Sequence, residues 1–371
     1  MTITQMPDVL RWNDYEAVCD GVLATYGDRL AEKMGEALGE ICRSDPARGE
    51  QLRSLIDRVA DEGFMRVLDA PETSFRLLST PGRRSDDEEP FLSASFLAEA
   101  LRQGLDISAD REVWTALGDR GYSPTGSCIW PQVEGMPVTD YGSPHAVSVD
   151  LSGQDRPDPP SRPAFSEVEI DRLHQLLQRS RSALERTEAG LPRFVTRFNI
   201  ALILQKDPES PTSFSSGSNG YYIGRTFLAN PHLPEIDEAH IADALVHEGI
   251  HALLYMQEYE QPWFLDPAAK GSLPRITSPW SGSRLPFPSF LQACFVWYGL
   301  LHFWSLAMQS GAFEPGVAIK RIQLCLRGFC RQPLLDSIAG YSSVVDADVQ
   351  RAIETMQNVV VGAFADVRHA G

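Results

Sequence analysis

The run His247-Glu248-Gly249-Ile250-His251 restricts the fold more than any other feature, because the apolar residues Ile241, Leu245, Ile250 and Leu253 around it recur at helical spacing. Two histidines four positions apart on an α-helix turn through about 400° and rise about 6 Å, so both imidazoles leave the same face one turn apart. That pair can grip a single cation, the arrangement of the HExxH pattern. Asp237 stands where it can cap the helix. Glu248 projects about 100° away from the histidines, near enough to hold a metal-bound water or steady a ligand. Histidine and glutamate rarely enter so apolar a helix without partners. We therefore expect His247 and His251 as metal ligands and Glu248 as the catalytic group.

The rest of the chain predicts a mainly α protein with a small β-sheet. From Asn13 to about Thr80, Val18, Val22, Leu23, Tyr26, Leu30 and Met34 and then Leu52, Leu55, Ile56 and Val59 keep helical steps, and another helix is expected over Phe91–Arg102. Between them Arg83–Pro90 reads as an exposed polar loop. Residues 120–165 are rich in Pro, Gly and Ser, with β-like runs at Ser127–Val133 and Ala146–Leu151 and a linker at Gln154–Pro163. Ser166 with Glu169 forms a capping box before a long helix. Phe194–Leu204 and Tyr221–Leu228 read as strands flanking the loop Ser213–Gly220, and Phe287–Met308 as a long apolar helix. The expected division is 1–119 helical, 120–165 connecting, and 166–371 metal-binding and catalytic.

A metalloenzyme of this kind needs a third ligand. The extended pattern HExxH-xx-G-xx-H is absent, since Ala252-Leu253-Leu254-Tyr255-Met256-Gln257 follows His251, and Glu258 is about 10 Å along the helix. The remaining candidates are Gln292 and His302 on the apolar helix and Asp266 in the preceding loop.

That loop reads Thr277-Ser-Pro-Trp280-Ser-Gly-Ser-Arg284-Leu-Pro286 before the aromatic helix. An HExxH helix followed about thirty residues later by these elements resembles the HExxH-domain proteins encoded beside ribosomally made, modified peptides. The likeness is specific over about residues 240–305. It implies a zincin-like core, with the HExxH helix packed on the second long helix, and an Fe(II) and 2-oxoglutarate dependent dioxygenase that uses O2 to hydroxylate a side-chain carbon of a peptide. In the family a histidine often occupies the place of Gln292, which favours Gln292 as third ligand. A 2-oxoacid carboxylate wants a bidentate cation. Arg284 is the first candidate for it, Arg225 the second, and Trp280 can wall the pocket.

The alternative is a zinc peptidase with Glu248 as general base, acting in leader removal. Histidine pairs bind Zn(II) and Fe(II) alike. The expected partner in either case is a peptide, with or without a leader segment. A net charge of −17 argues against nucleic acid. With no basic N-terminal region before an apolar run, neither secretion nor a membrane partner is expected. Six cysteines without a Cys-x-x-Cys pair fit reduced thiols in a cytoplasmic enzyme.

Overall fold

A computed structural model describes residues 2–78, 88–144 and 163–363, so the run at Ala146–Leu151, nearly all of the Gln154–Pro163 linker and most of the Arg83–Pro90 loop lie outside the described residues. The protein is mainly helical with small sheets, as its sequence periodicity predicts. It packs as two units that interleave along the chain: Met1–Leu23, Ser182–Leu191 and Leu253–Gly371 form one, and Ala24–Arg181 with Pro192–Ala252 form the other. Segments 1–119 and 166–371 are each shared between units, and 120–165 falls wholly in the second.

The N-terminal helices are α1 (Met6–Val9), α2 (Glu16–Ser44), α3 (Pro46–Ile56), α4 (Asp61–Leu68), α5 (Pro71–Leu78) and α6 (Glu88–Arg102). In the second unit α6 packs on α3 and α4 and on an antiparallel sheet of β1 (Val113–Trp114), β2 (Arg120–Ser123) and β3 (Gly126–Ile129). Arg66 ties these pieces together, its Nε 3.0 Å from buried Glu99 and its Nη2 2.6 Å from Asp119. A buried carboxylate of this kind is tolerable because it is paired.

The sheet that positions the histidines combines β4 (Val138–Asp140), β5 (Ala201–Gln205), β6 (Ser215–Gly217) and β7 (Arg225–Ala229) in the order β4-β5-β7-β6. β4, β5 and β7 are parallel, and β6 runs antiparallel at the edge. The run Ala201–Leu204 is buried throughout, as a central parallel strand requires. Helix α7 (Glu167–Thr187) starts after Ser166, whose amide donates to Glu169 Oε2 at 2.7 Å while the Glu169 amide donates to Ser166 Oγ at 3.4 Å. The capping box is thus present as predicted.

Two strand expectations need correction. The first half of Phe194–Leu204 is helix α8 (Leu191–Phe198). Leu191, Phe194, Val195 and Phe198 are all buried, and their i, i+3, i+4, i+7 spacing is the helical period. The Ser213–Gly220 loop contains strand β6, and the strand predicted over Tyr221–Leu228 begins only at Arg225.

In the first unit the hairpin β8 (Ile276–Thr277) and β9 (Arg284–Leu285) precedes α10 (Phe287–Ser310), α11 (Pro315–Arg331) and α12 (Ala347–Ala363), while the HExxH run lies on α9 (Glu238–Glu260), in its part that belongs to the second unit. By length and composition α10 could cross a membrane, yet 78% of its most apolar stretch is buried within the protein. It is a core helix: Trp12 Nε1 donates to Gly299 O at 2.9 Å, and Arg11 Nε donates to the Tyr298 hydroxyl at 3.0 Å.

Candidate metal centre

Helix α9 starts where the sequence places its cap. Asp237 Oδ1 accepts hydrogen bonds from the amides of Ala239 and His240, both at 3.1 Å. Along the helix Asp243, His247 and His251 follow at four-residue steps and are half-buried, whereas Ala244–Val246 and Glu248–Ile250 are buried. The apolar residues drive the helix into the unit's core and leave this one stripe partly open.

On the stripe the two imidazole rings lie 5.1 Å apart between centroids. One donor atom each from His247, Glu248 and His251 falls within 4.8 Å of the others. Among the described residues this is the group of three His, Cys, Asp or Glu side chains close enough to share an ion. Two imidazoles and a carboxylate suit a divalent first-row metal, so the residues present fit such an ion.

Glu248 is 3% exposed, and each of its oxygens accepts a serine hydroxyl: Oε1 from Ser216 and Oε2 from Ser218, both at 2.7 Å. Both serines belong to β6 and its continuation. Each carboxylate oxygen still has lone-pair capacity for a metal or a metal-bound water.

The helix is held at this height by Asn199, which is fully buried. Its Nδ2 donates to Val195 O at 2.9 Å and Leu245 O at 3.0 Å, and its Oδ1 accepts from Thr226 Oγ1 at 2.6 Å. One amide therefore joins α8, α9 and β7, two residues before His247. Gly249 makes this approach possible: a Cβ there would stand 2.9 Å from Phe194 Cε1 and 3.0 Å from Asn199 Nδ2.

The remaining predicted residues divide between the two units. Arg225, on β7 in the same unit as the histidines, is buried and paired with Glu72 at 2.6 Å, with its guanidinium 3.7 Å from the Tyr222 ring centroid. Gln292, Asp266, His302, Arg284 and Trp280 belong to the other unit. Gln292 is buried at 3% exposure, whereas Asp266 and Arg284 are exposed. Arg284 Nη2 donates to Arg275 O at 3.4 Å. Trp280 is a packing residue there, stacked on Trp297 at 5.8 Å with its Nε1 donating to Cys325 O at 2.8 Å. His302 lies edge-on to Tyr298 at 4.5 Å, and burial, reinforced by Arg11, pushes its pKa down to about 4.

Sequence reading missed Ser216, Ser218 and Asn199. The alternation Ser216-Gly217-Ser218 carried a signal, since residues two apart share one face of an extended strand. Compared with known protein families and with curated proteins, the chain matches none.

Proposed function

We propose that this protein is an iron(II) and 2-oxoglutarate dependent hydroxylase that oxidises a side-chain carbon of a peptide. The observation that carries the reading is the donor set, two imidazoles and one carboxylate on adjoining positions of one helix. Two imidazoles that leave most coordination positions open are the histidine part of the ligand set of non-haem iron oxygenases, with the carboxylate beside them to hold a metal-bound water. His247 and His251 hold the metal through ring nitrogens. Glu248, fixed by two hydroxyls, turns its remaining lone pairs toward the metal or a water on it. A bound iron would supply oxygen activation with the 2-oxoacid as reductant. Strand β6 ends the sheet beside Glu248, and an extended peptide can pair with such an edge. Sparse cysteines, six in the whole chain, support a reducing cytoplasmic setting.

Zinc hydrolysis is the second reading, and Arg225 favours it. The arginine on the strand next to β6 is committed to Glu72, not left for the carboxylate of a 2-oxoacid. Anaerobic reconstitution with Fe(II), followed by oxygen, 2-oxoglutarate and candidate peptides, tests the proposal. Oxygen-dependent succinate formation supports it. Peptide cleavage with Zn(II) and no turnover of 2-oxoglutarate overturns it.

A further inference from the structure

The two serines on Glu248 are delivered by a different element from the one that carries the metal donors, and every step that places them is built. In the register of the edge pair, Ser216 lies opposite Leu228 and Gly217 opposite Phe227. Side chains alternate along extended chain, so Ser216 and Ser218 share the face toward Glu248 while Gly217 faces the other way. A Cβ at Gly217 would overlap the Phe227 ring. Glycine thus lets β6 lie flat on its neighbour, and the close fit opposes a slip by one residue, which would turn both hydroxyls away.

The approach to β6 is fixed as well. Asn230, in the left-handed conformation with φ 57°, accepts from the Asp207 amide at 2.7 Å and donates to Ser210 O at 2.8 Å and Ser213 O at 2.9 Å. The loop leading to Ser215 is therefore anchored at the end of β7. A single serine on a glutamate would be an ordinary contact. Here each carboxylate oxygen receives its own hydroxyl at 2.7 Å, which fixes the plane of the carboxylate as well as its position.

We propose that Ser216-Gly217-Ser218 is a carboxylate clamp that orients Glu248 at the metal centre, with Ser216 and Ser218 as positioning residues acting through it. This rests on reading His247 and His251 as metal ligands, and it holds whether the reaction is oxidative or hydrolytic. Without the hydroxyls, Glu248 loses the contacts that select one rotamer, and the ligand field changes even though both histidines remain.

Cobalt(II) titration of the full-length protein, followed by visible absorption, tests the clamp without requiring a substrate. Wild type should bind cobalt with defined d–d bands. Joint Ser216→Ala and Ser218→Ala substitution should shift those bands, while joint substitution by threonine, which keeps both hydroxyls, should restore them. Once turnover is measurable, the alanine variant should lose at least tenfold in kcat with KM within twofold. Thermal unfolding checks folding, and the single alanine variants replace the double if it unfolds. Wild-type bands in the alanine variants overturn the clamp, as does a folded threonine variant that behaves like alanine. Absence of cobalt binding by wild type removes the metal reading itself. Bands that respond to Glu248→Gln but not to the serine variants remove the clamp alone.

Discussion

Replacing Gly249 with alanine sets two effects of opposite sign against each other. In a helix interior alanine is favoured over glycine by about 0.8–1.0 kcal/mol, so an open site would be stabilised. Gly249 is not open: the new methyl would meet Phe194 Cε1 at 2.9 Å and Asn199 Nδ2 at 3.0 Å. Neither neighbour yields easily, since Phe194 is 2% exposed and Asn199 is held by three hydrogen bonds. Overpacking a close-packed site costs about 1–3 kcal/mol, and two pinned neighbours place this one in the upper half. The net expectation is a loss of about 1–2 kcal/mol. Because Gly249 lies between His247 and His251, relief by tilting α9 should also weaken metal binding. Urea unfolding of the metal-free protein gives the first quantity and cobalt titration the second. Adding Phe194→Leu should recover part of the loss, as expected for residues in contact. A Gly249→Ala variant as stable as wild type, or more so, would refute the tight approach of α9 to α8 and the role given to Asn199 with it.

Two further outcomes are expected. Glu248→Gln should keep the metal yet lower turnover by about 10²–10⁴, read from metal content beside activity; loss of the metal would make Glu248 a ligand in its own right. His302, with a folded pKa of about 4 against an ordinary 6.5, is neutral in the folded protein, so the unfolded chain binds the extra proton first. Its contribution is complete above about pH 6.5 and falls by about 3 kcal/mol as pH drops toward 4, a slope that His302→Gln should remove from the unfolding curves.

What could be read in advance was whatever depends on residues a few positions apart. The Asp237 cap, the Ser166–Glu169 box, the long helices and the histidine stripe are all local patterns, and each is present. Phe194–Leu204 failed because an apolar run with β-branched residues satisfies both periods over so short a span, and burial of Leu191, Phe194, Val195 and Phe198 on one face settled its first half as helix. Strand β6 failed for a different reason. Ser215–Gly217 has no apolar alternation, and only pairing with β7 and the ring of Phe227 makes it a strand. The same division runs through the centre. Helix α9 determines which donors meet, since four-residue spacing suffices for that, but the direction of Glu248 comes from hydroxyls 30 and 32 positions away. Asn199, 46 positions from Leu245, determines how closely the helix may approach the sheet. Substitutions at Ser216, Ser218 and Asn199 should therefore alter the centre while leaving the HExxH sequence intact.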